Sequence, residues 1–81
     1  MAVKLFLADD HPIVVQGMRS FLEREPDLRV VGDGRDGVTV VEDVERLQHD
    51  LALVDIIMPG LSGQEITRLI QQRSPKTRVI I

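Results

Sequence analysis

Hydrophobic and polar positions along the chain follow two alternating patterns, short aliphatic runs and longer stretches with helical spacing. The aliphatic runs predict four strands, at residues 3–8, 28–31, 51–54 and 78–81. Between them, apolar residues recur at three- and four-residue intervals, the spacing of one helix face. This pattern predicts three helices, at 12–25, 38–47 and 62–74. Because strands that alternate with helices favour parallel pairing, the chain is predicted to form an α/β domain.

The helical stretches carry further signals about their ends and buried sides. The apolar stripe of the first helix is predicted from Ile13, Val14, Gly17, Met18, Phe21 and Leu22. Within that stripe, Gly17 predicts a close approach of the helix to a strand, since glycine otherwise disfavours a helix interior. Ser62 and Glu65 have the spacing of a capping box, so Ser62 is the predicted N-cap of the third helix.

Carboxylates follow two of the predicted strands. Asp9 and Asp10 come directly after the first strand, and Asp55 comes directly after the third. In a doubly wound sheet with the order 2-1-3-4, the winding reverses between strands 1 and 3. Ligands bind outside the carboxyl ends of the strands at such a switch point. The sequence therefore predicts that the three carboxylates form one acidic pocket.

Clustered carboxylates repel one another, and a hard divalent cation such as Mg²⁺ would relieve that repulsion. A carboxylate can also attack phosphorus and become an aspartyl-phosphate. Asp55 stands alone at a central strand end and is the better nucleophile, whereas Asp10, and Asp9 through water, would hold the metal. The alternative is structural, because acids after strands also cap helices or accept hydrogen bonds from loop amides. We interpret His11 as a loop or surface residue and His49 as a solvated helix end.

Composition limits the remaining functions. The 81 residues allow one domain, and a net charge of -3 without a basic run argues against a nucleic-acid surface. Absence of cysteine excludes disulfides and thiolate metal sites. No apolar run is long enough to cross a membrane, so a soluble cytoplasmic protein is expected. A Gly-x-Gly-x-x-Gly string spans 32–37, but it follows the second strand, and the chain is too short for a dinucleotide domain.

Together these motifs resemble a known family. The segment LADDHPIV at 7–14, then Asp55, Pro59 four residues later and Gly63 eight residues later, look like a response-regulator receiver domain. The ADDHP start and the segment FLEREPDLRVVG at 21–32 are similar to the NarL/FixJ subgroup of transcriptional regulators.

The resemblance implies a flavodoxin-like fold with strand order 2-1-3-4-5, here ending after the fourth strand. It implies Mg²⁺ bound by Asp10, Asp55 and the backbone carbonyl of Ile57, with Asp9 assisting through water. Asp55 would be the phosphoacceptor and a sensor histidine kinase the phosphodonor, so the chain would assist its own phosphorylation without being a turnover enzyme. Relatives usually bind DNA through a C-terminal domain that this sequence does not contain.

The sequence also departs from the family pattern. Residues 1–81 are expected to be an incomplete receiver domain, without the fourth helix, fifth strand, fifth helix, and the family's late Thr/Ser and Lys. Self-association through an exposed sheet face, as a dimer or by segment exchange, is then expected. The alternative function is a structural or dimerisation fragment that is not phosphorylated. An aspartyl-phosphate phosphatase ranks lower, because that class requires Asp-x-Asp after the first strand and this chain has Asp9-Asp10.

Overall fold

The computed structural model describes residues 2–55 and 58–81. Within them, strands and helices alternate along the chain. The elements are β1 (Val3–Ala8), α1 (Pro12–Leu22), β2 (Leu28–Gly34), α2 (Gly37–Leu47), β3 (Leu51–Val54), α3 (Gly63–Arg73) and β4 (Arg78–Ile80). Ser62 caps α3 in a complete capping box with Glu65, as predicted. Among the described residues, no helix is long and apolar enough to cross a membrane.

The four strands form one parallel sheet with the order β2-β1-β3-β4. This confirms the predicted flavodoxin-like arrangement. Since the pleat sends alternate side chains to opposite faces, β1 contributes to two cores. Phe6 and Ala8 pack with α2 and α3 on one face, whereas Leu5 and Leu7 pack with α1 on the other. The helices therefore lie on both faces, and the ends of β1 and β3 are left side by side.

The predicted apolar stripe of α1 was right for Met18 and Leu22 but wrong for Ile13 and Phe21. The helix buries Val15 and, partly, Met18 and Leu22, which lie at spacings of three and four residues. Ile13 is instead 84% exposed and Phe21 is 70% exposed. Apolar residues occur on both sides of α1, so spacing alone did not identify the inward side.

Gly17 does not mark a close approach either. A Cβ built at Gly17 would have no heavy atom within 4 Å, so the residue lies on the open side of α1. The helix also ends at Leu22, before the predicted end at 25, and the exposed residues 23–25 begin the turn to β2.

The second strand is longer than predicted, because glycines interpreted as a loop belong to it. β2 continues to Gly34, and its pairing with β1 shifts register between Leu5 and Phe6. A Cβ at Gly32 would lie 3.1 Å from the Phe6 ring, and one at Gly34 would lie 2.8 Å from Val40. These glycines make room for core side chains on the sheet.

His49 is not a solvated helix end, as predicted, but a core residue with 0% exposure. α2 ends at Leu47, and Gln48 adopts the left-handed conformation with φ 52°, which turns the next residue inward. The His49 ring meets the Phe6 ring edge to face, with centroids 5.1 Å apart. Neither ring nitrogen has a hydrogen-bond partner in the described part of the chain.

Candidate functional site: an acidic cluster at the carboxyl end of the sheet

Backbone hydrogen bonds hold the carboxyl ends of three strands together. The Asp9 amide donates to the carbonyl of Gly34 at 3.1 Å, and the Asp55 amide donates to the carbonyl of Ala8 at 2.8 Å. Each of the two aspartates therefore lies one residue beyond the end of a paired strand. Their positions follow from the parallel register, in which Ala8 lies opposite Val54.

The structure brings the three predicted carboxylates together. One carboxylate oxygen each from Asp9, Asp10 and Asp55, and one ring nitrogen of His11, all lie within 4.8 Å of one another. The aspartates are half-buried and His11 is exposed. The topological prediction of one acidic pocket is thus confirmed in its geometry, and His11 joins the pocket as a member that the sequence interpretation had left outside.

Asp9 has part of the structural role considered as an alternative. Its Oδ1 accepts hydrogen bonds from the backbone amide of His11 at 2.9 Å and from His11 Nδ1 at 2.8 Å. His11 itself occupies the N-cap of α1 without a side-chain capping bond. The hydrogen bond to Asp9, with the nearby charge of Asp10, raises the pKa of His11 above its ordinary value of 6.5.

Asp10 differs from Asp9, because one of its oxygens is buried without a donor. Asp10 Oδ1 lies 3.0 Å from His11 Nδ1, but the hydrogen bond of that nitrogen is made with Asp9 Oδ1 at 2.8 Å. No described residue hydrogen-bonds to Asp10 Oδ1. An ionised carboxylate accepts but does not donate, and leaving it unsatisfied costs free energy. Carboxylate oxygens in this arrangement fit the ligand preference of a hard divalent cation.

The loop after Asp55 is attached to the start of α2. The Gly37 amide donates to the carbonyl of Pro59 at 3.0 Å, and a Cβ at Gly37 would lie 2.5 Å from Leu61 Cβ. Met58 is buried in the core that α2 and α3 share. The Ile57 carbonyl, predicted as a metal ligand, lies outside the described residues.

Sequence reasoning missed two contributors to this site. The ring of His11 could have been suspected because it directly follows Asp9-Asp10, and a short turn keeps neighbouring side chains close. The contact between Gly37 and the loop after Asp55 left no such signal, because it joins residues that are far apart in sequence.

Comparison with known proteins identifies the family of this chain. The family model of the response regulator receiver domain matches residues 5–81. This chain belongs to that family. The similarity between the motifs at 7–14 and 55–63 and the receiver family is therefore confirmed.

Similar receiver proteins include transcriptional regulators. The transcriptional regulatory protein DegU of Brevibacillus brevis is 39% identical over 79 residues, covering 98% of this chain and 34% of DegU. The receiver domain of a putative response regulator NarL from Mycobacterium tuberculosis has a TM-score of 0.90 at 31% identity, covering 96% of this chain and 63% of that one. The response regulator domain of Thermotoga maritima CheB has a TM-score of 0.91 at 32% identity, covering 98% of this chain and 58% of that one.

Proposed function

We propose that this receiver domain accepts a phosphoryl group on Asp55 from a sensor histidine kinase, in a reaction that depends on Mg²⁺. Asp10, Asp55 and the backbone carbonyl of Ile57 would hold the metal, and Asp9 would act through a bound water. The observation that carries the proposal is the convergence of three carboxylates at the switch point, one of them with a buried oxygen that no described residue satisfies.

The chemistry assigned to Asp55 is a single substitution at phosphorus. A carboxylate oxygen of Asp55 attacks the phosphorus of a phosphohistidine, forming an O–P bond as the P–N bond breaks, and the electron pair of that bond passes to the imidazole nitrogen of the donor. Mg²⁺ would offset the negative charge on the transferring oxygens. Asp55 is held for this by the hydrogen bond that its backbone amide donates to the Ala8 carbonyl, which aligns the end of β3 with the end of β1.

Output and partners belong to the proposal as well. The chain spans about a third of the length of DegU, which is named a transcriptional regulatory protein. We propose that phosphorylation controls a DNA-binding output in a segment outside these 81 residues, in the cytoplasm. The domain would assist its own phosphorylation once per signal, so we do not propose a turnover enzyme.

Self-association is proposed for the 81 residues on their own, which we take as an incomplete receiver domain. Leu53 is only half-buried on the α1 face of the sheet, and Ile80 on β4 is 53% exposed. These side chains and Met18 line a largely apolar groove between α1 and β4. A second copy, paired as a dimer or by segment exchange, would cover it. Sedimentation should show a dimer, whereas a monomer at all concentrations would refute this part.

The central test is the mass of the intact protein after incubation with Mg²⁺ and a small phosphodonor such as acetyl phosphate. We expect one phosphate adduct in the unchanged protein and none in Asp55→Asn. Asp50→Asn is the matched control, because Asp50 is an aspartate at the opposite end of the sheet. In this variant the phosphate adduct on Asp55 should form normally. A folded protein without an adduct would favour the alternative, a structural fragment that is not phosphorylated.

A further inference from the structure

The ring of His11 lies inside the carboxylate cluster, although its side chain is 66% exposed. Nδ1 lies 2.8 Å from Asp9 Oδ1 and 3.0 Å from Asp10 Oδ1. The ring has no capping bond to α1, so its position is not explained by a helix-end role. Its contacts are with the groups to which we assign cation binding.

These atoms lie close enough together to serve as ligands of one cation. In an octahedral site with bonds of about 2.1 Å, adjacent ligand atoms are about 3.0 Å apart and opposite ones about 4.2 Å apart. The distances from His11 Nδ1 to the two carboxylates, 2.8 and 3.0 Å, match adjacent positions. The full set, including an Asp55 oxygen, lies within 4.8 Å, which is close to the separation of opposite ligands in such a site.

Ligand chemistry decides which ions would use the ring. Mg²⁺ prefers oxygen ligands and water, so it would bind the carboxylates and leave the imidazole with Asp9. Nickel and zinc bind imidazole well. For these ions Nδ1 would give up its hydrogen bond to Asp9 and become a ligand, with the ring hydrogen on the exposed Nε2.

We propose that His11 Nδ1 is a fourth protein ligand in this site, used by imidazole-binding divalent ions and not by Mg²⁺. The inference rests on the proposed function, because it takes the cluster of Asp9, Asp10 and Asp55 as the cation site. His11 would thereby set which metals compete with Mg²⁺ for the receiver domain.

The test is calorimetric titration of the untagged protein with Ni²⁺ and, separately, Mg²⁺, comparing the unchanged chain with His11→Asn. Asparagine keeps an N–H donor for Asp9 but has no ring nitrogen. We expect the affinity for Mg²⁺ to stay within about twofold and that for Ni²⁺ to fall about tenfold or more, as loss of an imidazole ligand requires. Asp10→Asn is the control and should weaken both ions.

A second measurement reports on the ring directly. With Zn²⁺ bound, the ¹⁵N resonance of His11 Nδ1 should shift strongly, whereas Mg²⁺ should leave it nearly unchanged. An unchanged ratio of Ni²⁺ to Mg²⁺ affinity in His11→Asn, or a Zn²⁺ complex without the Nδ1 shift, would overturn the inference.

The two proposals fail differently. If the unchanged protein forms the Asp55 adduct with Mg²⁺ while the metal ratio does not respond to His11→Asn, only the role of His11 is refuted. If the unchanged protein binds neither ion and forms no adduct, the proposed function fails and this inference fails with it.

Discussion

The two ends of the sheet both carry an aspartate beside a histidine, and the two pairs are used in opposite ways. At the amino end, Asp50 Oδ2 accepts the amide hydrogen of Lys4 at 2.8 Å, and its Oδ1 lies 3.4 Å from Lys76 Nζ. At the carboxyl end, Asp10 has a buried oxygen without a donor among the described residues. The fold supplies hydrogen-bond donors to the amino-end acid, whereas, in the described part of the chain, the buried oxygen of the carboxyl-end acid has only the nearby ring of His11, 3.0 Å away.

The two histidines also differ between the ends of the sheet, but here the residue at the carboxyl end is the one whose ring has a hydrogen-bond partner among the described residues. His11 is exposed beside carboxylates, and its hydrogen bond to Asp9 raises its pKa. His49 is buried beside Phe6, and burial lowers its pKa, an effect that Asp43 and Asp50 only partly oppose, while Lys4 and Lys76 reinforce it. The same residue types therefore pack into the fold at one end and form the proposed metal site at the other, so residue type alone does not distinguish structure from function.

Replacing each of the two acids with asparagine should give the largest effects, beginning with Asp10. Asp10→Asn should lower Mg²⁺ affinity by about tenfold or more, because it removes a charged ligand from a site that needs one or two carboxylates. Its free energy of unfolding should not fall, since a crowded negative charge is removed. Titration calorimetry and urea unfolding measure the two effects.

Asp50→Asn is the matched change at the amino end and should do the reverse. It removes the negative charge from the acceptor of the Lys4 amide hydrogen bond, the interaction that lowers the pKa of Asp50. The urea midpoint should therefore fall at neutral pH while Mg²⁺ affinity is kept. Equal loss of metal affinity in both variants would show that the two ends are not separate in function.

His49 sharpens the comparison through pH. Its pKa in the folded protein lies below the ordinary 6.5, so between these values the unfolded chain binds more protons than the folded one. Its contribution to stability is therefore complete above pH 6.5 and is lost as the pH falls toward the folded pKa. Urea unfolding of His49→Leu from pH 7.5 to 5 should show a flatter stability profile than the unchanged protein, and parallel profiles would contradict this.

His11 should titrate in the opposite direction. Its raised pKa means that its contribution is present below 6.5 and is lost as the pH rises through the folded value. In metal-free buffer, an NMR titration should place the His11 midpoint above that of His49. Coincident midpoints would remove the electrostatic difference between the two ends.

Ser62→Ala should have the smallest effect and tests whether stability alone influences the site. Ser62 caps α3 through the Glu65 amide at 3.1 Å, and loss of such a cap costs about 1 kcal/mol. The variant should unfold at lower urea concentration, but its phosphate adduct should form normally. A lost adduct would mean that the loop between Asp55 and α3 depends on this cap.

Topology made the site predictable from sequence, because parallel strands with a winding reversal place the ends of β1 and β3 together. The predictions that failed concerned residues whose positions depend on long-range packing. The glycines at 32 and 34 were interpreted as a loop. They belong instead to β2, where they leave room for the Phe6 ring of the neighbouring strand, and the local sequence gives no sign of that contact. His49 was interpreted as solvated for the same reason, because its burial against Phe6 joins residues 43 positions apart. The apolar residues on both sides of α1 made its inward side ambiguous.

Location of the phosphoryl group tests the central claim most directly. After reaction with Mg²⁺ and acetyl phosphate, borohydride reduces an aspartyl-phosphate to homoserine, and peptide mass mapping then identifies the residue. The account predicts homoserine at Asp55, in the tryptic peptide 47–68, and an unmodified peptide when Mg²⁺ is omitted. Reduction at Asp9 or Asp10, or no reduced residue in a folded protein, would contradict it.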